Sequence, residues 1–490
     1  MNSIQARFTI YYFLSIIHID FFLFIARNKL RKQSNDFLMK GSLFFLVVFL
    51  VCCFSPNLSA LQEKIDKSRS FTLDNGLKVF LYEKSNIPLV NCVLAFNVGS
   101  KDETAETNGI VHILEHYILF RGTKFRKGEE ISQDVRRHGA YFNAHTGRDL
   151  SIFEMTLPAE HIDFALRNQK EILFDLKFDQ NALDEEKQVI LEEISQIQDD
   201  PFKLASTLVF QNLFKDHPYH RPIYGKKEII EAATTEVLEG FYRNFFVPEN
   251  CALVVVGDIS LIDLEDKIKN IFGSLQSTNF SPPKFDKITT LKKTVEINTE
   301  MDINIGYLAI GVSGPDYNSK DQYAMNILTE ILGRGINPML YNPLTRKRIF
   351  VNSMRMGYSA HKNGGSIFIY LALKPQQLKR AKKEIIKYLK QSRNLNFSPD
   401  DVFSDQQFYA TDYEGSAKNR IRFNGERAQE KGLNLATSMA RFMLMNETPD
   451  RGIYLENIEK VSSSDLRETA GKYLSQKAYV IVTIMPLDKK

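Results

Sequence analysis

His112, Glu115 and His116 stand in the run His-Ile-Leu-Glu-His. Positions i and i+4 share one face of a helix, so both imidazoles can turn a ring nitrogen to one cation. Two neutral imidazoles suit Zn²⁺, and a carboxylate beside a metal-activated water suits a general base. Glu115 lies beside the histidine face. A catalytic zinc site needs a third protein ligand and one open position. Further along stands Asp184-Glu185-Glu186-Lys187-Gln188-Val189-Ile190-Leu191-Glu192-Glu193-Ile194. Glu186 and Glu193 are two helical turns apart and share a face. Such a charge run is ordinarily solvated. Here Val189, Ile190 and Ile194 give the helix a buried side, and an inward carboxylate needs a partner, which a cation would supply. Spacing alone leaves Glu192 and Glu193 both open. The competing reading of His112 and His116 is a satisfied pair of core histidines. His138, His145, His161, His217, His220 and His361 do not repeat helical ligand spacing and are read as non-ligands.

The elements that must position these residues are legible in the periodicity. Residues 71–73 and 78–82 read as strands about an Asn75-Gly76 turn. Residues 90–98 and 150–157 read as strands, and 108–120, 131–138, 159–174 and 182–198 as helices, with Gly139 closing the second. A strand at 253–256 and a helix at 261–272 follow. Residues 274–284 are polar and contain Pro282-Pro283, as a linker does. The order then restarts. Strands are expected at 293–297, 303–312, 366–373 and 479–484, and helices at 320–332, 375–393, 400–408 and 428–445. This predicts an α+β chain of two homologous sandwich-like halves, each an antiparallel-rich sheet packed by helices. The expected boundaries are 61–275 for the first half, 276–290 for the linker and 291–490 for the second.

The 490 residues exceed one ordinary core and suit two or three domains. The net charge of +4 is carried by residues 1–60 alone, with six basic and two acidic side chains. A neutral body excludes a nucleic-acid protein that works through a global basic field. The four cysteines form no CxxC pair, which excludes a cysteine-type structural zinc site and disfavours a disulfide scaffold. Two apolar stretches, 8–26 and 43–54, precede the body. The second follows Met39-Lys40 and ends in small residues up to Ala60, the shape of a secretory signal peptide. Its 12 residues fall short of the roughly 20 a membrane span needs. The expectation is an exported body, periplasmic or associated with the cell envelope, with residues 1–38 an upstream extension. A membrane anchor made of both stretches is the rival. Membrane contact is expected only through this segment.

His-x-x-E-His inverts the common zincin order and marks the inverzincins. On these residues the chain resembles the insulinase/pitrilysin-type zinc peptidases, in their shorter two-domain form, over nearly all of residues 65–490. Glu193 stands 77 residues after His116, where that family places its third ligand. The resemblance therefore implies His112, His116 and Glu193 as ligands of one zinc ion, and Glu115 as base. It implies Glu186 as a supporting or proton-handling glutamate. The run Gly139-Ala140-Tyr141-Phe142-Asn143-Ala144-His145-Thr146 is similar to the family's substrate-binding strand edge, which implies Asn143 and Ala144 as peptide contacts. Taken alone, that run reads as an ordinary turn before a strand. His217-Pro218-Tyr219, Pro222, Gly225, Phe241-Tyr242, Pro248-Glu249-Asn250 and Gly257-Asp258 also look familial and are read as structural.

Two departures stand out. Phe120-Arg121-Gly122-Thr123 comes one residue later than in the family, which implies a reshaped helix end. In the family the C-terminal half supplies an Arg and a Tyr toward the substrate and the transition-state oxygen. Thr345 and Asn352 occupy those places here, with Arg346 one residue away. The implied activity is hydrolysis of peptides or small unfolded polypeptides. The implied partner is a second insulinase-like chain that supplies the missing Arg and Tyr, or failing that a second copy of this chain. The alternative is a non-catalytic structural or assembly subunit of the same fold.

Overall fold

A computed structural model describes residues 67–286, 288–334, 338–395, 413–445 and 451–487. The two apolar stretches at 8–26 and 43–54 and the helix expected at 400–408 lie outside the described residues. Among the described residues no helix is long and apolar enough to cross a membrane.

The first sheet has six strands: β1 (Ser68–Thr72), β2 (Lys78–Glu83), β3 (Leu89–Phe96), β4 (Tyr141–Thr146), β5 (Ser151–Pro158) and β6 (Cys251–Gly257). Their order is β1-β2-β6-β3-β5-β4, antiparallel except between β2 and β6. The second sheet holds β7 (Val295–Met301), β8 (Gly306–Gly314), β9 (Val351–His361), β10 (Gly364–Leu373) and β11 (Val480–Pro486). Its order is β7-β11-β8-β10-β9, antiparallel except between β7 and β11. Adding five to each strand number of the first sheet, β1 aside, reproduces the second, parallel pair included. The restart of element order after the polar stretch is thus a duplicated architecture.

Local sequence explains the first strands. Gly76 adopts φ +88°, which closes the β1–β2 turn where a Cβ would be strained. The Asn75 side chain ties that turn to the Phe272 and Leu275 carbonyls at 2.8 and 3.0 Å. The β6 run Cys-Ala-Leu-Val-Val-Val-Gly is buried throughout, as a strand covered on both faces must be.

Helices of the first half are α1 (Ile110–Phe120), α2 (Gly128–Arg137), α3 (Ile162–Phe174), α4 (Gln180–Asp199), α5 (Pro201–Leu213), α6 (Lys227–Ala232), α7 (Thr235–Phe245) and α8 (Leu261–Phe272). Those of the second are α9 (Asp321–Gly333), α10 (Tyr341–Arg346), α11 (Leu378–Lys390), α12 (Tyr413–Glu430), α13 (Gly432–Met445), α14 (Arg451–Lys460) and α15 (Ser463–Thr469). The period of two divides each strand between two cores. Leu94, Phe96, Leu253 and Val255 pack with the helices of their own half. Val93, Ala95, Val254 and Val256 meet Ala436, Met439, Ala440 and Met443 of α13. Reciprocally, Ala205, Val209, Phe210 and Leu213 of α5 cover Ala309, Val480, Val482 and Ile484 of the second sheet. Each half therefore lends one helix to the other's sheet.

This exchange corrects the single helix expected over 428–445. The chain breaks between α12 and α13, where a Cβ on Gly432 would stand 2.3 Å from Asn91 Nδ2. The hairpin between β9 and β10 also reaches across. Tyr219 Oη donates to Asp149 at 2.6 Å and accepts from the Asn363 amide at 3.2 Å. His361 Nδ1 lies 3.3 Å from the other Asp149 oxygen. Cys92 and Cys251 are buried and free, and burial raises both thiols.

Candidate metal centre

Helix α1 starts at Gly109, whose φ of +101° favours glycine. Its orphan amides are met by a buried carboxylate: Glu103 accepts from the Gly109 amide at 2.9 Å, the Val111 amide at 3.0 Å and Asn108 Nδ2 at 2.8 Å. Burial pushes the Glu103 carboxyl up to about 8, against these donors and Arg221. Ile110, Val111, Ile113, Leu114, Tyr117 and Ile118 bury most of α1 in the first core, which fixes where the remaining face points. Tyr117 fastens α1 to the start of α4. Its hydroxyl donates to the Lys177 carbonyl at 3.0 Å and accepts from the Asp179 amide at 2.8 Å. Asp179 in turn caps α4 through the Ala182 amide.

These two helices bring His112, His116 and Glu193 together, with one ligand atom of each within 4.8 Å of the others. Glu193 Oε2 lies 3.6 Å from His112 Nε2 and 3.5 Å from His116 Nε2. Tetrahedral zinc with bonds near 2.05 Å separates its ligand atoms by about 3.3 Å, so the spacing fits. The donor set fits as well. Burial, then the neighbouring His116, depresses the His112 imidazole to about 3, which keeps it neutral. Burial also pulls on His116, but the Glu186, Glu193 and Glu115 carboxylates outweigh it and hold that imidazole above its ordinary value. The same carboxylates favour a positive charge at this point, and a bound cation would supply it in place of the ring proton. Glu193 is the member open to solvent, and Glu192 is exposed.

Glu186 has a different task. Its side chain is 4% exposed, with Oε2 3.2 Å from His116 Nδ1 and Oε1 2.7 Å from Arg121 Nη2. With Nδ1–H donating to Glu186, Nε2 keeps its lone pair for the centre. Arg121 also pairs with Glu185 at 2.7 Å. Glu115 is half-buried. Burial raises its carboxyl, against the pull of Thr146, His116 and His145.

Strand β4 carries Asn143 and Ala144 at the edge of the first sheet. Ala144 is buried and stands opposite Phe153 of β5, while Asn143 Nδ2 donates to the Tyr141 hydroxyl at 3.0 Å. Helix α1 packs against this strand, so an unpaired sheet edge borders the histidines. None of the other described histidines joins the group. Thr345 on α10 and Asn352 on β9 are exposed and make no hydrogen bond or ion pair with the three ligands; α9, which follows β8 as α1 follows β3, carries no histidine.

Three neighbours had no site role in the sequence: Glu103, Arg121 and Tyr224. The Tyr224 ring packs edge-on to His112, with centroids 4.9 Å apart and planes at 87°. Burial and then the Glu193 and Glu115 carboxylates raise its phenol, so it remains a neutral donor. None of the three has a spacing signal, because their neighbours are met only in space.

The sequence model described as "Insulinase (Peptidase family M16)" matches residues 78–227. The one described as "Peptidase M16 inactive domain" matches residues 232–404. A Rickettsia bellii protein named "Uncharacterized zinc protease" is 26% identical over 415 residues, covering 83% of this chain and 95% of its own. "Zinc protease PqqE" of Helicobacter pylori is 24% identical over 441 residues, covering 87% and 94%. Among solved structures, a Helicobacter pylori protease superposes with a TM-score of 0.76 at 22% identity, covering 86% of this chain and 99% of that one. A Pseudomonas fluorescens structure described as a peptidase M16 inactive domain gives 0.74 at 19% identity, covering 86% and 98%. The fold is the same two-domain arrangement.

Proposed function

Because the chain belongs to the insulinase family of peptidases, family M16, we propose that it is a zinc endopeptidase that hydrolyses peptides or small unfolded polypeptides. The observation that carries this is the convergence of His112, His116 and Glu193 beside Glu115 and the open edge of β4. His112, His116 and Glu193 would hold the zinc. When bound, zinc acidifies water and polarises a carbonyl. Glu115 takes a proton from the attacking water and later gives it to the leaving amine. Its raised carboxyl suits it to hold that proton between the two transfers. Glu186 orients His116 and fixes its tautomer. An extended peptide pairs its main chain with β4 along Asn143 and Ala144, which tolerates most side chains.

Thr345 and Asn352 support two further parts of the reading. The working unit includes a second insulinase-like chain that contributes an Arg and a Tyr. The same pair of residues favours the second reading, an assembly subunit without catalysis. Export to the cell envelope follows from the leader alone. Cleavage of a quenched peptide library by the full chain and by Glu115→Gln decides between the two. Loss of cleavage in the variant, with zinc retained, is expected of the peptidase. Zinc binding without cleavage, in the presence of an insulinase-like partner, favours the assembly subunit.

A further inference from the structure

We propose that Tyr224 is a catalytic residue that donates its hydroxyl hydrogen bond to the carbonyl oxygen of the scissile peptide as negative charge develops there. This rests on the peptidase reading and adds a group that spacing did not reveal. Three observations carry it. First, the ring lies against His112, so the phenol belongs to the same wall of the site as the ligands. Second, its loop is built onto the base of α1. Gly225 and Gly109 approach so closely that a Cβ on either would stand 2.7 Å from the other's Cα, and both have left-handed φ. Asn108 Nδ2 donates to the Pro222 carbonyl at 3.0 Å, and Arg221 Nη1 to the Glu103 carbonyl at 2.5 Å. Tyr224 is thus positioned by the contacts that position His112 and Glu115. Third, the side chain is partly open, at 36% exposure, and its hydroxyl has no hydrogen-bond partner among the described residues. It lies in the field of both Glu193 and Glu115.

Packing against His112 needs only a ring, and phenylalanine would provide it. The hydroxyl is a donor on a ring packed against His112, with no partner among the described residues to receive it. Arg121, the cation beside the site, is committed to Glu185 and Glu186, so it does not serve a developing oxyanion. A preorganised donor aimed at that charge strengthens in the transition state and contributes little to binding the ground-state peptide.

The test uses the full chain, a peptide it cleaves, and a phosphinic peptide of the same sequence as a tetrahedral mimic. Tyr224→Phe is expected to lower kcat by about 100-fold with KM and zinc content unchanged. It should weaken the phosphinic peptide by a similar factor. Binding of the uncleaved peptide should match between Glu115→Gln and the Glu115→Gln/Tyr224→Phe double variant. Wild-type kcat and phosphinic affinity in Tyr224→Phe would overturn the assignment. So would equal losses for both ligands, which mark uniform binding, or loss of zinc, which marks a packing role. A wild-type chain that binds zinc yet cleaves nothing even with an insulinase-like partner present contradicts the peptidase reading by itself. Titration with a small library of phosphinic peptides, which needs no cleaved sequence, then decides Tyr224 separately.

Discussion

Glu186→Gln separates the ligand-orienting role of Glu186 from mere space-filling. Glutamine keeps the volume and one acceptor, so the packing of α4 against α1 is conserved. What is lost is the charge on which both pairings depend, His116 Nδ1 at 3.2 Å and Arg121 Nη2 at 2.7 Å. A hydrogen bond to a charged group is worth about 1.5–3 kcal/mol and a neutral one about 0.5–1.5. Two such downgrades, softened because Arg121 retains Glu185, amount to about 2 kcal/mol. Losing the outer partner of a ligating histidine lowers metal affinity by about 10–100-fold, the same scale. Titration of the metal-free protein with zinc against a chromophoric chelator reads this directly, with circular dichroism as the check on folding. A folded variant with wild-type zinc affinity would refute the claim that Glu186 sets the His116 ring.

Gly311→Ala should destabilise the chain by about 1–3 kcal/mol, because its Cβ would meet Val209 Cγ1 at 2.2 Å where α5 crosses β8, and valine has little rotamer freedom there. An unchanged urea midpoint would contradict the reciprocal helix packing. At the seam, burial alone would raise Asp149, but His361, Lys101 and the Tyr219 hydroxyl outweigh it and hold the carboxyl down at about 2. A depressed carboxyl stabilises the fold above its ordinary value of 3.8 and loses that contribution as pH falls toward 2. The shift corresponds to about 2 kcal/mol. The melting temperature of wild type should therefore drop across that window, and Asp149→Asn should start lower and drop less. Equal slopes would dismiss the pairing.

The His-x-x-E-His run was legible because helical geometry converts spacing into a shared face, and α1 obeys it; spacing along α4 left Glu192 and Glu193 both open, and only the family resemblance singled out Glu193. The strands of the first sheet were legible from their apolar runs and the Asn75-Gly76 turn, except β4, whose mixed run Tyr-Phe-Asn-Ala-His-Thr reads by itself as a turn. Strand β9 was not. It is an edge strand whose residues Asn352, Ser353, Arg355 and Ser359 are exposed, so no alternation announces it. The exchange of α5 and α13 was hidden too, since an amphipathic helix does not say which sheet its apolar face will cover. Glu103 illustrates a third kind of silence: a lone glutamate in a loop carries no period, and only the fold shows it seated on the first turn of α1.

His112, His116 and Glu193 are proposed to hold one zinc ion. X-ray absorption at the zinc edge of the purified full chain tests it most directly. One zinc per chain is expected, with two imidazole nitrogens and carboxylate oxygen at about 2.0–2.2 Å, and with the imidazole signal lost in His112→Ala/His116→Ala. A chain that takes up no zinc, or whose zinc signal persists unchanged in that variant, would contradict it.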